Sequence, residues 1–162
     1  MNRNRRAFLL SVLAYTLITF IWTYPLVFNL ASAVAGDETI GDSLQYTWFV
    51  WWGKTSLLDL SLTPAQLEII CHPFGLYHPL LLIEPFYSQI CTIPLVSLGG
   101  PVVAYNVQLL LAFILSAAFA YLLCYYLTGN VWAAFVGGLI FGFFPNKTNQ
   151  ALVGHMPLTT MY

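Results

Sequence analysis

Three carboxylates, Asp37, Glu38 and Asp42, stand in one short stretch of this chain, and an aromatic block, Trp48, Phe49, Trp51 and Trp52, follows directly. A carboxylate can accept the proton of a reacting hydroxyl, and Trp side chains collect where an apolar phase meets water. Together they describe an active-site loop at a bilayer surface. The remaining acids, Asp59, Glu68 and Glu84, belong to the same segment, whereas residues 85–146 hold no Asp, Glu, Lys or Arg. That asymmetry separates a polar, chemistry-bearing side from lipid-embedded scaffolding. A second polar run, Asn146-Lys147-Thr148-Asn149-Gln150, comes after the apolar part, with His155 just beyond it.

Other chemistry is weakly signalled. Cys71, His72 and His78 are residue types that suit zinc, but the stretch is rich in proline and lacks ligand spacing. No metal site is therefore expected, although a divalent cation as cofactor stays open. The three cysteines, Cys71, Cys91 and Cys124, form no C-x-x-C and read as free thiols. A Cys71–Cys91 pair is the alternative if both share an oxidising compartment. Asn146-Lys147-Thr148 matches a glycosylation acceptor. The basic residues make no patch able to neutralise a run of phosphates, which argues against nucleic acid as a partner.

The elements that must position these groups are membrane elements. Hydrophobic residues make up 59% of the chain and charged residues 7%, against about 25% charged in soluble domains. Residues 7–28 are ~22 mostly apolar positions, enough at 1.5 Å each to cross ~30 Å of hydrocarbon. Arg3, Arg5 and Arg6 precede them and hold the N-terminus in the cytoplasm. A twin-arginine export signal ending at Ala31-Ser32-Ala33 is the rival reading, but the apolar stretch is longer than the roughly 7–15 residues of a signal core. An uncleaved anchor is expected.

Beyond it, Leu44, Trp48, Trp51 and Trp52 recur at helical spacing within 43–60, predicting a helix lying along the interface. Residues 62–85 carry Pro64, Pro73, Gly75, Pro79 and Pro85 and read as loop with short helical pieces. Residues 86–98 are too short to span and read as a re-entrant or interfacial helix ended by Gly99-Gly100-Pro101. A span over 102–127 follows, interrupted by Asn106 and Gln108 near its outer end. Thr128-Gly129-Asn130 supplies a tight hairpin, and a short third span occupies 131–145. Either the polar run after it sits below the membrane surface and lines a cavity, or the helix starts earlier and Lys147 snorkels to the headgroups.

The expected fold is thus an all-α integral membrane protein, with N-terminal transmembrane helices and an exported loop, 29–100, bearing interfacial helices. Residues 146–162 form a second exported segment. Both polar clusters then fall on the non-cytoplasmic side of a multi-pass protein of the cell membrane. Residues 1–162 read as the N-terminal part of a larger polytopic domain.

An ordered set of short motifs resembles a known pattern. It comprises Gly41-Asp42 with Trp48, Trp51 and Trp52, then His72-Pro73-Phe74-Gly75, Gly100-Pro101, Ala104-Tyr105-Asn106, Leu127-Thr128-Gly129, Phe144-Pro145 and Gly154-His155. In order and spacing these are similar to uncharacterised bacterial members of the GT-C fold membrane glycosyltransferases. The resemblance implies transfer of a sugar from a polyprenyl-phosphate donor to an acceptor on the exported side. It implies a catalytic base in the first exported loop; Asp42 is favoured by the Trp block after it, with Asp37 and Glu38 as alternatives. Lys147, with His155 behind it, would meet the leaving phosphate, Lys54 being a weaker candidate, and Asn146, Trp48 and Trp52 complete the expected substrate contacts. The competing class is a non-catalytic polytopic protein, a transporter or an assembly subunit. Transporters place charged groups at the midplane, whereas the acids here gather outside the spans.

Overall fold

The structure, a computed structural model, describes residues 3–36, 42–63, 65–67, 69–70, 72–77 and 86–160. It is mostly helical. Helix α1, Arg3–Trp22, runs through a stretch free of Gly and Pro. It starts ahead of the expected boundary and stops at Trp22, because Pro25 disfavours helix in the residues before it. A 3₁₀ turn, Leu26–Phe28, follows. The inward stripe of α1 is polar: Ser11, Tyr15 and Thr19 are buried, and Ser11 and Thr19 return their hydroxyls to the carbonyls of Ala7 and Tyr15. The outward stripe is apolar, with Leu10 66% and Ile21 77% exposed.

Helix α2, Asp42–Lys54, runs on into a π turn, Thr55–Asp59. A helix is where the aromatic spacing predicts one, but its buried face differs from the expected stripe. Ser43, Thr47 and Val50 are buried, at i, i+4 and i+7, while Leu44 is 66% exposed. The aromatic side turns instead toward a two-residue antiparallel ladder, β1 (Gln66–Leu67) against β2 (Leu76–Tyr77). Trp52 is fully buried with Leu67 in that cluster. Short helical pieces were the expectation between 62 and 85; a strand pair this short has no period for a sequence to reveal.

Helix α3, Phe86–Thr128, is broken at Gly100, whose φ of 82° and ψ of 173° lie outside helical space. The break falls at the Gly99-Gly100-Pro101 punctuation. Val50 of α2 packs with Val96 and Ala104 on either side of it, so α2 straddles the kink. Gly129 and Asn130 then turn the chain, and Asn130 caps helix α4, Val131–Gly142, by accepting from the Trp132 and Ala133 amides. The helix does not extend back over 128–130. On α4 the small residues Ala134, Gly138 and Gly142 are buried at four-residue spacing. A Cβ on Gly138 would lie 2.2 Å from the Tyr15 hydroxyl and 2.6 Å from the Ala117 carbonyl. Small residues let the backbones of α3 and α4 approach this closely, and Tyr15 donates to the Phe135 carbonyl across the junction at 3.0 Å.

Helix α5, Pro145–Val153, opens on proline at its first position, where the missing N–H costs nothing. A short α6, Met156–Thr159, completes the described chain. Two helices are long and apolar enough to cross a membrane by length and composition, Arg3–Trp22 and the Cys91–Thr128 part of α3. Helix α4 has 12 residues, a rise of about 18 Å.

Candidate active site

Asp42 is the first residue of α2. A carboxylate there is favoured by the free N–H groups and dipole of the helix N-terminus. What surrounds it comes from three other parts of the chain. The loop leaving α1 is pinned by Asn106, fully buried on α3, whose amide donates to the Leu30 and Ala33 carbonyls at 2.9 and 2.6 Å and accepts from the Ala35 N–H at 3.2 Å. This delivers Gly36 against α2: a Cβ at Gly36 would lie 1.9 Å from Ser43 Oγ. Gly154 ends α5 with a φ of 88°, and a Cβ there would lie 2.4 Å from both the N and the Oγ of Ser43. Two glycines thus close on Ser43 in the first turn of α2. Tyr105, fully buried on α3, faces Ser43 and lies within the field of Asp42.

The close approach at Gly154 places its neighbour. His155 Nε2 lies 2.8 Å from Asp42 Oδ2, and His155 Nδ1 lies 2.7 Å from Gln150 Oε1. Each of Asp42 and His155 keeps 38% of its side-chain surface open. The turn itself is held by the His155 N–H donating to the Gln150 carbonyl at 2.9 Å, so Gln150 and His155 are fixed to one another by backbone and side chain together. Asp42, His155 and Gln150 form a continuous chain of hydrogen bonds at the end of the bundle where the Trp22 indole donates to Thr148 of α5. A cavity of about 310 Å³ lies beside it, walled by Trp22, Pro25, Gly36, Phe113 and Leu152.

Of the residues singled out by sequence, Asp42 and His155 are brought together. Asp37 and Glu38 lie outside the described residues, as do Cys71 and His78. Lys147 is placed apart from this group. Only 9% exposed, it points from α5 into the bundle, donates to Ala112 O at 2.9 Å and to Ser116 Oγ, and lies 5.7 Å over the Phe113 ring. Ala112 is two turns further along α3 than Tyr105, roughly 10 Å at 1.5 Å per residue. Burial pushes the Lys147 ammonium down to about 8. Lys147 does not snorkel outward; together with Asn146 it borders a largely apolar groove of about 530 Å³ between α3 and α4. Lys54 is held by both carboxylate oxygens of Asp59, at 3.0 and 2.8 Å. Trp48 and Trp52 stack with ring centroids 5.8 Å apart and planes within 4° of parallel, Trp52 being fully covered. Cys91 is an exposed free thiol. Among the described residues no group of three or more His, Cys, Asp or Glu could hold a metal ion.

Sequence reasoning passed over Ser43, Tyr105 and Gln150 as individuals. Gln150 lay inside the polar run, but nothing in its spacing ties it to His155 until Gly154 turns the chain back. No protein-family model, curated protein or solved structure matches the chain.

Proposed function

We propose that the chain is, or forms the N-terminal part of, a membrane glycosyltransferase that moves a sugar from a polyprenyl-phosphate donor to an acceptor hydroxyl, with Asp42 as the general base. The observation that carries this reading is the meeting of Asp42 and His155 at 2.8 Å. Residues from two polar clusters, separated in sequence by the apolar helices, come together at one end of the bundle. The motif residues support it by what they do: Asn106 pins the loop before Asp42, and Gly154 admits α2 to the α5–α6 turn. The membrane setting is supported by two helices of sufficient length and apolarity and by the exposed leucines of α1.

In the reaction, the acceptor oxygen attacks the anomeric carbon and its proton passes to Asp42. The bond between that carbon and the phosphate oxygen breaks, and polyprenyl phosphate leaves with the electron pair. Transfer is assayed in membranes with a polyprenyl-phosphate sugar. Asp42→Asn keeps size and polarity but removes the proton acceptor, and should slow transfer by about 10²–10⁴. Normal turnover by that variant would end the assignment of Asp42 as base. Full activity in Asp37→Asn and Glu38→Gln as well would leave the carboxylates as surface charge beside an aromatic belt, and the enzyme reading of this loop would fall.

A further inference from the structure

His155 uses both ring nitrogens inside the protein: Nε2 faces Asp42 Oδ2 at 2.8 Å and Nδ1 faces Gln150 Oε1 at 2.7 Å. An imidazole engaged at both nitrogens has neither a lone pair nor an N–H left for a substrate. Asp42, held through Oδ2 alone in this contact, retains a second carboxylate oxygen and 38% of its side-chain surface. We propose that His155 and Gln150 are positioning residues for Asp42, Gln150 fixing the ring and the ring fixing the carboxylate, so that Oδ1 is left to take the proton. The proposal rests on the reading of Asp42 as general base and adds what aims it.

The backbone is built for this arrangement. Gln150 stands in the last turns of α5 and His155 directly after Gly154, and the hydrogen bond from the His155 N–H to the Gln150 carbonyl sets their spacing. The turn sits directly against α2, since Gly154 lies on the Ser43 backbone without room for a Cβ. An amide suits the far end of the relay. Gln150 can present its oxygen to an N–H or, turned over, its NH₂ to a lone pair, so the ring stays held in either protonation state. A base aimed by a side chain that is itself oriented by a third group is the general pattern of activated catalytic residues.

Two measurements test it. In the chain labelled with ¹⁵N-histidine and held in detergent, Asp42→Asn and Gln150→Leu should each displace the resonances of the same imidazole among the three present. If Asp42→Asn moves none of them, the contact is absent and the proposal is wrong whatever the activity. In the transfer assay, His155→Ala should lower kcat about 10–100-fold, the scale on which losing the partner that orients a metal-ligating side chain costs activity, with KM nearly unchanged. His155→Gln, whose amide N–H still reaches toward Asp42, should recover most of that loss. Should His155→Ala instead raise KM and spare kcat, His155 contacts substrate directly and the positioning role fails. If it leaves both constants intact while Asp42→Asn is inactive, positioning is refuted and the base reading stands. Normal turnover by Asp42→Asn would remove the base reading and this proposal together, leaving the relay a structural contact.

Discussion

Lys147 carries an amine into a place with little to solvate its charge. Its partners are the Ala112 carbonyl, the Ser116 hydroxyl and the face of Phe113, all uncharged. Desolvation without an opposing ion favours the neutral amine, which is why burial pulls its pKa from 10.5 to about 8. The unfolded chain, with the ordinary value, then binds more protons than the folded one between about 8 and 10.5. Stability should rise as pH climbs through that window, and below it the burial cost is present in full. Ser116 already donates to Ala112 at 2.7 Å, so removing the amine strands no hydroxyl. Lys147→Met should therefore unfold in detergent at the same temperature at neutral pH or a few degrees higher, and should lose the rise above pH 8. A marked fall in its melting temperature would show that the ammonium holds α5 in place. Residue type made Lys147 look like a phosphate ligand in the sequence; which way it faces depends on a socket on α3 that no local pattern encodes.

At the scale of elements, the helices were legible wherever apolar runs were bounded by punctuation. Gly99-Gly100-Pro101 marked the break in α3 and Thr128-Gly129-Asn130 the hairpin, whereas the polar run after Pro145 gave no sign of the helix it forms, α5. The faces of those helices were not. In α1 the buried stripe is Ser11, Tyr15 and Thr19, and in α2 Ser43, Thr47 and Val50 are buried beside Trp52, the one residue of the Leu44, Trp48, Trp51 and Trp52 stripe that is fully covered. When the surroundings are apolar, hydrophobicity no longer distinguishes inside from outside, and the interior is chosen by small size and internal hydrogen bonding. The same cause hid the contact between α2 and the α5–α6 turn, which depends on two glycines leaving room. Gly154→Ala tests that contact. It places a side chain at φ 88° and 2.4 Å from the Ser43 N; the left-handed conformation alone costs about 1–2 kcal/mol. The turn must swing away from α2, so Gly154→Ala should displace the same imidazole resonances in the ¹⁵N-histidine spectrum as Asp42→Asn. Resonances unmoved by Gly154→Ala would mean that the turn relaxes without separating the pair.

The molecule as a whole has two polar ends. At one, Trp22, Thr148, Asp42 and His155 gather. At the other, residues of the first turns of α1, Ala7, Leu10 and Ser11, share a cavity wall with Val131 and Phe135 of α4, next to the Thr128–Asn130 hairpin. Arg3, Arg5 and Arg6 mark that second end with positive charge, and cytoplasmic flanks are the ones enriched in Lys and Arg. In a bilayer this predicts that the hairpin and the N-terminus share the cytoplasmic face, while the Asp42 end and the loop through Ser61 face outward. Single cysteines placed by Asn4→Cys, Ser61→Cys and Thr128→Cys, in a background with Cys71, Cys91 and Cys124 changed to serine, separate the possibilities. An impermeant maleimide applied to intact cells should label the Ser61 site alone, and the other two only after the membrane is opened. The opposite pattern would turn the acidic loop toward the cytoplasm, where an outward-facing lipid-linked donor is out of reach of Asp42. Labelling of the Thr128 site together with the Ser61 site would show that the long helix does not return the chain across the membrane, and the two-ended arrangement would have to be given up.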